Sequence, residues 1–141
     1  LAQNVYKGLT DRGEHVTVVC APGSQHDLPE KADIIEGDPS ATSTLKLAGA
    51  NEAKYIVALS ENDADNVFVI LAAKEVAGDD TQVIALVNET QNMAKVKRVN
   101  PTMVLSLPLL GSELLVRTLQ GDAINNDLIT EMFFGKRTSL G

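Results

Sequence analysis

Lys54-Tyr55-Ile56-Val57-Ala58-Leu59-Ser60-Glu61-Asn62-Asp63, with the apolar run behind it as far as Gly78, decides how this chain folds. Residues 55–59 are apolar and rich in β-branched side chains, which predicts a short strand buried on both faces. Residues 60–63 combine capping side chains with negative charge. Residues 64–77 then predict a helix closed by Gly78, a residue that adopts positive φ freely. Strand, acidic turn and helix make half of a βαβ unit. In open α/β sheets, ligands bind at such turns, beyond the carboxyl ends of the strands. Residues 67–73 of the helix are apolar without a break, so its apolar surface runs around the whole cylinder. Such a helix is buried on more than one side, yet a helix covering a sheet in a small domain has only one inward side. The outer side is therefore read as meeting a second protein chain.

The flanking sequence repeats the pattern. Residues 1–11 predict a helix, with Leu1, Val5 and Leu9 on one face and Gly13 as its stop. Strands follow at 16–20 and 33–36, separated by a loop and a short helix over 25–31. Asp38 reads as an N-cap with Pro39 at the first helical position, opening a helix over 40–48 that Gly49 stops. Downstream lie a strand at 82–87, a helix over 89–99 ended by Pro101, a strand at 103–105 and a strong helix over 108–119 stopped by Gly121. A last amphipathic piece carries Leu128, Ile129, Met132 and Phe133.

Strands alternating with helices at this spacing predict an α/β fold, a Rossmann-like doubly wound parallel sheet. A sheet of that type begins with a strand and a Gly-rich turn ahead of its first helix. This sequence starts at the helix and without Met, so that strand and turn are expected upstream of Leu1. The domain reading is a Rossmann-like lobe over 1–121 and a C-terminal helical extension and tail over 122–141.

A net charge of −7 across 141 residues argues against a nucleic-acid or anionic-lipid surface, since both need clustered Lys and Arg. A lone cysteine, Cys20, excludes an internal disulfide and suits a reducing compartment. No apolar run approaches the roughly 20 residues of a membrane helix. The reading is a cytosolic domain.

Three stretches carry a resemblance: Ile34-Ile35-Glu36-Gly37-Asp38-Pro39, the turn with its flanks at 58–66, and Leu107-Pro108-Leu109-Leu110-Gly111-Ser112-Glu113. Together they resemble the RCK domain, the regulator of potassium conductance, also called the TrkA N-terminal type. The run at 121–127 adds to the likeness, which covers almost the whole chain. The resemblance implies a regulatory domain on the cytoplasmic face of the plasma membrane, one that dimerises or builds a homo-oligomeric ring and acts on a potassium-channel pore. It also implies that the helix of about 108–120 crosses to a partner subunit. Phe68, Leu71, Leu110, Leu114, Leu115 and Phe133 are the residues expected at that assembly interface.

The resemblance further implies a metal site, because a calcium-gated relative uses a matching Asp. Asp38, Glu61 and Asp63 are the candidate ligands for a hard divalent cation. Their plainer reading is helix capping and acidic turns that place negative charge at helix N-termini. Gly37, Asp38, Ser60 and Asn62 are the candidate lining of a nucleotide pocket, though Ser60 and Asn62 are also ordinary capping residues. NAD is disfavoured, because the second strand ends in Cys20-Ala21-Pro22 where a ribose-binding acid is expected. Cys20 reads as a small buried hydrophobe, His15 and His26 as surface residues, and Lys95, Lys97 and Arg98 as a solvated helix face. No nucleophile–base pair is visible, so the chain is read as non-enzymatic. The alternatives are a soluble regulatory subunit of a Trk- or Ktr-type potassium transporter, and an NAD(P)-dependent oxidoreductase.

Overall fold

The short β-branched runs become strands, and the longer apolar run at 67–73 lies in a helix. The computed structural model describes residues 1–121, and its contacts divide the chain into two units, Leu1–Ser106 and Leu107–Gly141. The first unit runs α1 (Ala2–Asp11), β1 (Thr17–Cys20), β2 (Asp33–Glu36), α2 (Thr42–Leu47), β3 (Tyr55–Ala58), α3 (Asp63–Val76), β4 (Gln82–Val87), α4 (Met93–Lys97) and β5 (Met103–Ser106). Short 3-10 turns at Ala50–Glu52 and Thr90–Asn92 precede β3 and α4. Every strand pairing is parallel: β1 with β2, β3 with β4, and β4 with β5. This is the Rossmann-like α/β architecture.

The core forms where α3 lies on the three-stranded sheet. Ile70, Ala73 and Val76 of α3 pack in one cluster with Val83, Ala85 and Val87 of β4, Val96 of α4 and Leu45 of α2. β4 is the central strand of its sheet, and its last three residues are buried. The outer stripe of α3 is different in kind. Ala64, Phe68, Leu71 and Glu75, at helical spacing, are all exposed, and Phe68 keeps 60% of its surface.

The strands do not form one continuous sheet. They form two, β1-β2 and β3-β4-β5, and among the described residues no strand pairs with the second edge of β1 or of β3. Among the described residues β3 pairs with β4 alone, and it is less buried than its composition predicts. Tyr55 and Val57 stay 49% and 41% exposed.

Three local expectations are corrected. Residues 25–31 form no helix. The helix expected from residue 40 starts at Thr42, because Asp38 closes a tighter turn in front of it: its Oδ1 accepts from the Ser40 amide at 2.9 Å and the Ser40 hydroxyl at 2.7 Å. Gly78 does not supply positive φ, for α3 ends at Ala77 in an extended conformation. Its need is space, since a Cβ at Gly78 would stand 2.5 Å from the carbonyl oxygen of Asn51. Gly13 and Gly49, by contrast, end their helices at φ of 82° and 84° as expected.

The second unit begins with α5 (Leu107–Leu119), and Gly121 follows at φ 71°. Glu113 and Arg117 pair one turn apart at 2.7 Å. Leu110 and Leu115 are exposed and Leu114 is half-buried. Phe133 and the amphipathic piece around it lie outside the described residues. No helix among the described residues is long and apolar enough to cross a membrane.

Candidate functional site

The turn between β3 and α3 is held almost entirely by side chains. Asn62 caps α3, its Oδ1 accepting from the Asp65 amide at 3.0 Å. The Ser60 hydroxyl accepts from the Asn62 amide at 3.2 Å. One turn into α3, on the stripe shared with Ile70 and Ala73, sits Asn66, fully buried. Its Oδ1 accepts from the Ser60 amide at 2.8 Å, and its Nδ2 donates to the Ser60 carbonyl at 2.9 Å and to the Leu86 carbonyl on β4 at 3.2 Å. Asn88, just beyond β4, donates to the same Ser60 carbonyl at 2.9 Å. Both lone pairs of that carbonyl are thereby occupied.

Asp63 carries the second half of the arrangement. Only 7% exposed, its carboxylate accepts from the Asn88 amide at 2.8 Å, Asn88 Nδ2 at 3.0 Å, the Glu89 amide at 3.0 Å and Asn92 Nδ2 at 2.9 Å. Burial pushes its pKa up. The donors, Asn92 foremost, outweigh that and hold the carboxyl below its ordinary value. Asp38, exposed at the end of β2, is also held low, by its bonds from the Ser40 hydroxyl and amide.

These facts place the residues singled out in the sequence. Among the described residues no three His, Cys, Asp or Glu side chains are grouped to hold a metal ion, so Asp38, Glu61 and Asp63 are not gathered into one cluster. Asp63 faces four protein donors, and Asp38 closes its own turn. Gly37 continues the β1-β2 ladder, its amide donating to the Cys20 carbonyl at 2.9 Å, and a Cβ there would stand 2.7 Å from the Thr44 side chain. Gly37 is thus also a packing requirement of α2. Ser60 and Asn62 share one turn, and Asn62 with Glu61 and Asp63 borders a cleft of about 280 Å³ between the start of α3 and α4. Ala64, Val67 and Val96 also line it, as do Glu89, Asn92 and Lys95. Gly37, Asp38 and Ser60 are not among its lining residues.

The residues that sequence reasoning missed are Asn66, Asn88 and Asn92. The signal for Asn66 was present: it is the polar residue on a helical stripe otherwise made of Ile70 and Ala73. Asn88 and Asn92 gave none, since an amide after a strand reads as a turn residue.

The TrkA-N domain family model matches residues 1–107. The chain is 42% identical over 138 residues to the voltage-gated potassium channel Kch of Escherichia coli, covering 94% of this chain and 33% of Kch. It thus spans about a third of the length of that relative. Among solved structures, the NAD(P)-binding domain of an exopolyphosphatase-related protein from Archaeoglobus fulgidus superposes with a TM-score of 0.70 at 16% identity, over 84% of this chain and 89% of that one. The GsuK RCK domain superposes at 0.64 and 20% identity, over 82% and 25%. The same fold is solved in a GsuK channel bound to NAD (0.60, 21% identity, 74% and 19% covered). It is also solved in the AMP-bound C-terminal domain of Kef from Shewanella denitrificans (0.66, 19% identity, 86% and 75% covered). The argument against NAD from the missing acid after Cys20 finds no support in these neighbours. With 107 of its 141 residues matched by the family model, the chain belongs to the TrkA-N, or RCK, domain family.

Proposed function

We propose that this chain is the cytoplasmic regulatory domain of a potassium channel, a binding module without a catalytic step of its own. It acts at the cytoplasmic face of the plasma membrane. The single observation that carries this reading is the 42% identity to Kch over nearly the whole chain. The ligand it senses is a nucleotide, seated at the carboxyl ends of the strands, with Ser60 and Asn62 at the end of β3 and Gly37 and Asp38 at the end of β2. Solved neighbours bound to NAD and to AMP support that ligand class, and NAD stands within it. Copies of the chain assemble through the exposed stripe of α3 and through α5, as a dimer or a larger ring beneath the pore. Phe68, Leu71, Leu110 and Leu115, apolar and exposed in the single chain, support that arrangement.

A chimera tests the reading. The matching third of Kch is replaced by this chain, the protein is reconstituted in lipid vesicles, and rubidium flux is followed with ADP, AMP or NAD. The expected result is a flux that changes with at least one nucleotide and saturates, alongside saturable binding to the isolated chain by calorimetry. Flux indifferent to all three, with no heat of binding, overturns it. Turnover of NAD(P)H with any reducible substrate would favour the oxidoreductase alternative instead.

A further inference from the structure

We propose that Asn66 is a positioning residue: from inside the core it sets the 60–62 turn in the geometry that receives the ligand. The inference rests on the reading of that turn as a nucleotide seat. The Ser60 peptide groups are held on both sides by one side-chain amide, which accepts from the Ser60 N–H and donates to the Ser60 carbonyl at 2.8 and 2.9 Å. The same amide bonds to the Leu86 carbonyl, so the turn is referenced to β4 and not merely to its own strand. The β3–β4 ladder does not reach this far, because its last paired residue on β3 is Ala58. A fully buried amide with all its partners supplied has one orientation open to it. Ser60 therefore inherits the rigidity of the core, while its hydroxyl and Asn62 stand at the surface. Asn88 is the second hand on the same carbonyl. Thr81, whose hydroxyl donates to the Ala53 carbonyl at 2.6 Å ahead of β3 and away from the turn, serves as the control.

The test uses the 141-residue chain with Asn66→Ala, Asn66→Asp and Thr81→Ala. Asn66→Asp keeps the acceptor for the Ser60 amide but turns an oxygen toward two carbonyls. Three quantities are measured: the melting temperature, hydrogen exchange at the Ser60 and Val83 amides by NMR, and the ADP affinity by calorimetry. For either Asn66 variant the expected result is Ser60 exchange faster by about a hundredfold and ADP affinity weaker by about tenfold, with Val83 little changed. Thr81→Ala lowers the melting temperature and moves neither Ser60 exchange nor affinity. A folded Asn66 variant with wild-type exchange at Ser60 overturns the proposal. So does affinity that falls in proportion to melting temperature across all three variants, which is what a purely structural role gives. Should the unaltered chain bind no ADP, the nucleotide reading fails, and the exchange at Ser60 still decides whether Asn66 fixes the turn.

Discussion

Asp63 shows how much one carboxylate can organise. Its four donors come from three residues more than two dozen positions further on, so removing it leaves the half-buried Asn88 and Asn92 without this acceptor. Asp63→Ala is expected to cost about 2–4 kcal/mol of stability, read as a lower urea midpoint with the slope unchanged. The same group sets an acid limit. Its folded pKa lies below the unfolded value near 3.8. Its contribution is thus complete above that value and is lost as pH falls through the lower folded one. Melting temperatures of the unaltered chain should drop steeply below about pH 4, and that part of the drop should be missing in Asp63→Ala. In the sequence, Asp63 was legible as a metal-ligand candidate or an acidic turn residue, and Asn66 as a polar side chain near a helix start. A cap and a core tether are made of the same residue types, and three-dimensional neighbours alone separate them.

At the scale of elements, strands were the most legible feature and helix ends the least. Runs such as 82–87 are apolar and β-branched enough to admit one reading. Asp38-Pro39, by contrast, fits a helix opening and an Asx-type turn equally well, and the Ser40 hydroxyl tipped the balance toward the turn. Gly78 was recognised as obligatory for the wrong reason. Conformational freedom is visible in a sequence as the residue type itself, whereas close approach of a distant carbonyl is not. The two accounts differ in a measurable way. Gly78→Ala forces a Cβ toward Asn51 and should destabilise by about 1–3 kcal/mol. Had positive φ been the issue, Gly78→Asn would restore much of the loss. Here it should be worse than Ala, because the larger side chain meets the same carbonyl. Thermal melts of both variants distinguish these outcomes.

For the whole molecule, the feature that was best read from sequence is the two-sided helix α3. Its inner stripe makes the core with β4, and its outer stripe leaves Phe68 and Leu71 uncovered. An assembling surface is the reading proposed for that pattern, and on it Phe68→Asp and Leu115→Asp should each lower the mass measured by size-exclusion light scattering and leave the melting temperature of the subunit within a few degrees. Wild-type mass for both variants would remove α3 and α5 from the interface. The order of the strands within the sheet was less legible than their positions. Local patterns announce strands, but which edges meet depends on partners far away in sequence. Tyr55 and Val57 were read as buried because a strand of that composition is usually flanked on both sides.

All the ladders run parallel, and this has a consequence for how fast the native state is reached. Among the described residues no hairpin gives an early, cheap contact. Thr17 meets Asp33 across 16 residues, Val83 meets Thr102 across 19, and Asp63 meets Asn88 across 25. Each closure costs loop entropy before any ladder rewards it. Refolding from urea is expected on the millisecond-to-second scale of proteins with non-local contacts rather than in microseconds. Stopped-flow fluorescence from Tyr55 and Tyr6 can follow it.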